Sequence, residues 1–161
     1  MENNRMLKGY FAAVSLMLLA ATLSGCSLPG LVIPRDPLTP EEHLNLGVAY
    51  EKQGEIDAAL REYQTASRDL PVAYLYVGNA LFQKNELKQA EKAYRKAIAK
   101  TGDPRAYNNL AWLYYSSNQK LDQAENLARK AVELSPDSRE FADTLEKVVG
   151  RQKGTSPSLN P

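Results

Sequence analysis

The sequence predicts an all-α protein of three tandem helix-turn-helix units closed by a further helix. Three observations carry that prediction. First, small residues recur at fixed intervals. Gly47 is followed by Ala59, Ala66 and Pro71, at steps of 12, 7 and 5; Gly78, Ala90, Ala97 and Gly102 repeat those steps. Ala111, Ala124, Ala131 and Pro136 follow at 13, 7 and 5. Second, seven residues after each leading small residue stands Gly54, Asn85 or Asn118, the types that best tolerate a left-handed turn at a helix end. Third, the composition is 24% charged and 43% apolar with nine Tyr, which suits a soluble helical chain.

The units run at about 40–70, 71–103 and 104–136, each a helix pair joined by a tight turn. Thr39-Pro40-Glu41-Glu42 begins the first, with Thr as N-cap, Pro in the first helical position and Glu in capping-box spacing. Small residues mark where helices approach closely, and Tyr50, Tyr63, Tyr94 and Tyr114 fill the space beside them. Pro71 and Pro136 follow the second helices of units one and three and stop them. Residues 137–150 form a closing helix ending at Gly150. Its Phe141, Leu145 and Val148 share one face for docking, while Arg139, Glu140, Glu146 and Lys147 stay in water. Polar residues 151–161, with Gly, Ser and Pro, are expected to be disordered.

This period near 34 residues, with Leu46, Gly47, Tyr50, Ala59, Tyr63, Ala66 and Pro71 in register, resembles the tetratricopeptide repeat (TPR). The resemblance covers residues 40–136 and implies a right-handed superhelix of three repeats with a capping helix. Three departures stand out. Repeats one and two begin 31 residues apart, so the connection after Leu70 must be tight. Repeat three has an extra residue in its internal turn, and Ala128 where an aromatic is usual. His43 occupies a position usually held by Trp, and the sequence identifies no partner for it.

Residues 1–25 read as an address. Arg5 and Lys8 precede an apolar run from Tyr10 to Leu23, shorter than the ~20 residues that span a bilayer comfortably but of signal-peptide length. Leu23-Ser24-Gly25-Cys26 resembles the lipobox of bacterial lipoprotein precursors. That resemblance implies cleavage before Cys26 and a lipid on its thiol, hence a membrane anchor. Ser27, where enterobacterial inner-membrane lipoproteins carry Asp, favours the outer membrane facing the periplasm. Residues 26–39, with Pro29, Pro34 and Pro37, read as an extended tether.

Charge and chemistry narrow the function. Cations number 20 and anions 19, and without residues 1–25 there are 18 of each; such a balance gives no drive toward nucleic acid. One Cys and one His exclude a disulfide or structural zinc site within one chain. No Ser/His/Asp set, Gly-rich phosphate loop or metal cluster is present, so no enzyme and no cofactor beyond the lipid is expected. Lys84, Lys88, Lys92, Arg95, Lys96 and Lys100 make the second helix of repeat two basic, which reads as a solvated face.

In the family, the first helices line a groove that takes a peptide. By that resemblance the groove presents Asn45, Val48 and Lys52, then Tyr76, Asn79, Phe82 and Gln83, then Asn108, Asn109, Trp112 and Tyr115. Asparagines can pair with any peptide backbone, and aromatics are low-entropy anchors; the same aromatics also suit a core. Leu44 and Val48 stand where a carboxylate clamp needs Lys and Asn, so capture of a C-terminal carboxylate is not expected. The expectation is a lipid-anchored adaptor for a protein or peptide partner in a cell-envelope machine such as a pilus, secretion, polysaccharide-export or cell-wall assembly. The alternatives are a self-associating spacer (a homo-oligomer) between membrane and wall and, behind it, an envelope hydrolase.

Overall fold

Seven α-helices and no strand make up the described residues, which in this computed structural model are 36–154. The expectations for the signal peptide, for Cys26, for the tether to residue 35 and for the tail from residue 155 lie outside them. Repeat one is α1 (Pro40–Lys52) and α2 (Ile56–Ala66); repeat two is α3 (Ala73–Gln83) and α4 (Leu87–Thr101). Repeat three is α5 (Pro104–Ser116) and α6 (Leu121–Leu134), and α7 (Arg139–Gln152) follows. Each helix packs on the next, and α3–α5 and α5–α7 also touch.

The ends form for the reasons the sequence suggests. Thr39 accepts from the Glu42 N–H at 3.2 Å while Glu42 accepts from the Thr39 N–H at 2.7 Å, a complete capping box. Asp103 caps α5 through the Arg105 N–H at 2.9 Å, with Pro104 beginning the helix. Gly54, Asn85 and Asn118 turn the chain inside the three repeats with φ of 80°, 60° and 52°. Pro71 and Pro136 lie beyond the ends of α2 and α6.

Two boundaries differ from expectation. The closing helix passes Gly150 and runs to Gln152, so Arg151 and Gln152, assigned to the tail, are helical; glycine inside a helix is a modest penalty that packing overrides. The extra residue of repeat three lets Lys120 take a left-handed conformation, φ 48°, that its type does not advertise.

Alanines at the repeating positions are fully buried: Ala59, Ala66, Ala90, Ala97, Ala111, Ala124 and Ala131. Beside them lie Tyr63, Tyr94 and Tyr114, equally sealed. In repeats one and two the tyrosine ring rests against the leading glycine, where a Cβ at Gly47 or Gly78 would enter the ring of Tyr63 or Tyr94. On α7, Phe141 and Val148 are buried as expected, joined by Thr144, whose hydroxyl donates to the Glu140 carbonyl at 3.1 Å.

Candidate functional site: the face carried by the first helices

A line of polar contacts links the repeats along α1, α3, α5 and α7. Glu51 of α1 accepts from the Tyr63 hydroxyl at 2.6 Å and from Gln83 Nε2 of α3 at 2.6 Å. Burial, and then the bond to Glu51, push the Tyr63 hydroxyl well above the usual phenol range, so it stays a donor. Asn79 Oδ1 of α3 accepts from the Tyr94 hydroxyl at 3.0 Å and from Asn109 Nδ2 of α5 at 2.9 Å. Asn108 Nδ2 donates to Glu140 Oε1 of α7 at 3.3 Å and, more weakly, to Asn109 Oδ1 at 3.5 Å. Gln83, Asn79 and Asn109, which the resemblance placed in the groove, thereby tie each repeat to the next.

The expected binding residues therefore divide. Asn79, Asn108, Asn109, Trp112 and Tyr115 come together at the α3–α5–α7 end. Asn45 stands apart, exposed on α1. Tyr76 and Phe82 are half-buried against the core, Tyr76 with its ring 5.3 Å from that of Tyr63. Asn108 is only 3% exposed, and its Oδ1 is buried with no donor. Trp112 and Tyr115 lie with ring centroids 5.2 Å apart, and α7 sets a cation over each. Lys147 Nζ is 5.3 Å from the Trp112 ring, and the Arg151 guanidinium 3.9 Å from that of Tyr115. Arg151 also donates to the Tyr115 carbonyl at 2.9 Å.

Between α5 and α7 opens a hollow of about 270 Å³ lined by Asn108, Asn109, Trp112, Glu140, Asp143, Thr144 and Lys147. Its α7 wall was not legible beforehand. Glu140 and Lys147 read as solvated charge on a cap; only their spacing with Asp143 and Thr144 signals a shared face.

A second polar cluster ties repeats two and three on the other side. Glu91 accepts from Lys120 Nζ at 2.8 Å, from the Tyr114 hydroxyl at 2.6 Å and from Arg95 Nε at 3.0 Å. Burial raises its pKa, but those three donors outweigh burial and hold it at about 2. The left-handed Lys120 is what brings an ammonium there, so the extra turn residue serves the packing of repeat three. The basic residues of α4 stay exposed, with Lys96 over the Tyr74 ring at 5.2 Å, whereas Lys84, expected on that helix, instead ends α3 and pairs with Asp57 and Glu86 at 2.8 Å each.

Among the described residues no group of three His, Cys, Asp or Glu could hold a metal, and no helix is long and apolar enough to cross a membrane. The fold and this face define a helical-repeat scaffold. The tetratricopeptide repeat model matches residues 44–104 and 78–139, and the chain belongs to that family. Solved structures agree on the fold. The first TPR of Spaghetti (RPAP3) bound to the HSP90 peptide SRMEEVD superposes with a TM-score of 0.67 at 24% identity, over 75% of this chain and 98% of that one. MamA 41-end from Desulfovibrio magneticus RS-1 gives 0.63 at 22% identity, over 72% of this chain and 67% of that one. No curated protein sequence matches the chain.

Proposed function

We propose that the protein is a non-enzymatic adaptor that binds a protein or peptide partner along the face of α1, α3 and α5. It is held by lipid on Cys26 at the outer membrane, facing the periplasm, and serves the assembly of a cell-envelope machine. The observation that carries the binding role is the α5–α7 hollow, where Trp112 stands beside a row of amides spanning two repeats. Aromatic anchors beside polar groups are the usual makings of an interface hot spot. The peptide bound to the first TPR of Spaghetti supports the same use of the fold. Leu23-Ser24-Gly25-Cys26 supports the anchor, since two or more acyl chains hold a protein stably where one holds it marginally.

Because Asn79 and Asn109 bind each other, a partner is read by Trp112, by the α7 wall and by the outward Asn45 rather than by a free asparagine row. The test is cross-linking in intact membranes. Wild-type chain should yield a discrete cross-linked partner, and the Asn79→Ala/Trp112→Ala chain should lose it while keeping its helical circular dichroism. An unchanged adduct would refute binding at this face. Cys26→Ala should release the protein from the membrane fraction, and retention there would refute the lipid anchor.

A further inference from the structure

α4 carries five cations against one carboxylate, Glu91, and Lys120 and Arg95 already occupy that carboxylate. The other four cations, Lys88, Lys92, Lys96 and Lys100, are exposed and stand four residues apart. Steps of four follow one ridge of a helix at about 6 Å each, so the ammoniums form a row. Among the described residues none of the four has a carboxylate partner; Lys96 lies over the Tyr74 ring. The carboxylates of the flanking second helices are all committed elsewhere. On α2, Asp57 pairs with Lys84 and Glu62 with His43. On α6, Glu125 pairs with Arg129, Glu133 with Lys130, and Asp122 accepts from Gln152. Like charges four apart on a helix repel, and none of these pairs offsets that cost. Beside the row a hollow of about 430 Å³ opens between α2, α3 and α4; its polar lining of Gln64, Tyr74, Gln89, Lys92 and Lys96 includes no carboxylate.

We propose that this ridge rests on an anionic bilayer, with lipid phosphates along the lysines and a headgroup in the hollow beside them. Choosing a bilayer over a soluble polyanion rests on the reading of Cys26 as a lipid anchor, whose tether keeps the domain within about 40 Å of a membrane. Shape argues the same way. The row stands on the exposed side of a second helix, open to a flat surface, and lysine stems are long enough to bring their ammoniums to one plane. Each lysine near an anionic surface strengthens binding roughly fivefold. Four of them orient a domain that the anchor alone would leave free to turn, and the first-helix face with Trp112 is then left open to a partner.

The full chain is reconstituted into phosphatidylcholine vesicles and into vesicles of phosphatidylethanolamine and phosphatidylglycerol. Its lysines are acetylated and read one by one by mass spectrometry. Lys88, Lys92, Lys96 and Lys100 should label roughly fivefold more slowly on the phosphatidylglycerol vesicles, whereas Lys52 and Lys147, exposed on α1 and α7, should label alike on both. Both vesicles hold the same anchor, so the difference reports the ridge and not the lipid on Cys26. Salt at about 1 M, where charges are screened beyond about 3 Å, should erase the protection. Lys92→Gln/Lys96→Gln should expose Lys88 and Lys100 to labelling with helix content unchanged. Equal labelling on both vesicles, or protection that survives salt, would overturn the docking. Protection by soluble polyphosphate with none on vesicles would overturn it too, making the ridge a site for a soluble polyanion. If the chain leaves both vesicles, the anchor reading falls, and the ridge is judged by flotation of the free chain with phosphatidylglycerol vesicles. Salt-sensitive binding that Lys92→Gln/Lys96→Gln weakens about 25-fold would then uphold the ridge, and absence of binding would overturn it.

Discussion

Repeats one and two are built around a tyrosine ring laid on a glycine, and repeat three has neither. Tyr63 lies on Gly47 and Tyr94 on Gly78, whereas the matching places in repeat three hold Ala111 and Ala128, both fully buried. The exchange is sterically consistent, since a Cβ appears at Ala111 only where the ring that would meet it has gone, although one methyl does not refill a tyrosine's volume. It does not conserve chemistry. The hydroxyls of Tyr63 and Tyr94 satisfy Glu51 and Asn79, while α6 contains no Ser, Thr or Tyr to do likewise. The repeat without the hydroxyl is the one that carries the unsatisfied Asn108 and the hollow.

The strongest way to break this comparison is to remove the ring. Tyr94→Ala should destabilise the fold by about 3–5 kcal/mol, the range for emptying a large aromatic site, and Ala128→Gly by only about 1 kcal/mol through helix propensity. Urea unfolding followed by circular dichroism measures both. Equal losses would mean the ring does not hold repeat two together.

The next effect tests the fit of ring to glycine. Gly78→Ala should cost about 1–3 kcal/mol, because the new methyl enters the Tyr94 ring. In the Tyr94→Ala background that penalty should vanish, a coupling that a double-mutant cycle resolves. Additive losses would show that the glycine is there for another reason.

Much of this was legible because close approach and tight turns restrict residue type. Only Gly fits beneath Tyr63 and Tyr94, and Gly54, Asn85 and Asn118 occupy left-handed turns, so both left a periodic trace. Lys120 takes the same conformation without trace, since lysine is used anywhere exposed. The helical spacing of Phe141, Leu145 and Val148 showed that α7 docks, but not that its polar edge closes a hollow with Trp112. The asparagines were placed in the groove by the family resemblance and read as ligand groups from their donor and acceptor. Which of those face a neighbouring repeat, as in Asn79 to Asn109, depends on distances between helices that one strand of sequence does not encode.

That distinction makes the third prediction. Asn79→Leu should cost about 1–3 kcal/mol, because it leaves the Tyr94 hydroxyl and the Asn109 amide without their acceptor. Asn108→Leu loses two long bonds but also removes a buried oxygen with no donor. Its effect on thermal unfolding should stay within about 1 kcal/mol of zero. If Asn108→Leu proves the worse of the two, Asn108 is a tie like Asn79, and repeat three is not the chemically incomplete one.

The smallest effect separates repeat one from the others. At the position where repeats two and three carry Tyr74 and Tyr107, repeat one carries His43, buried with Nδ1 2.7 Å from Glu62 and Nε2 3.1 Å from Asp36. A neutral imidazole donates from one nitrogen only, so two facing carboxylates select the cation. The bond to Glu62 raises the pKa, burial opposes it, and Asp36 adds to the rise. Repeat two reverses the roles, with the Lys96 cation on a neutral Tyr74 ring. A raised folded-state pKa means the stabilisation is complete below the unfolded value of about 6.5 and is lost as pH rises through the folded value. His43→Gln should therefore weaken the protein at mildly acidic pH and leave it unchanged well above neutrality. Asp36 is largely exposed, so salt should shrink the difference through screening. A pH-independent loss in the variant would show that His43 serves by packing alone, as the tyrosines do.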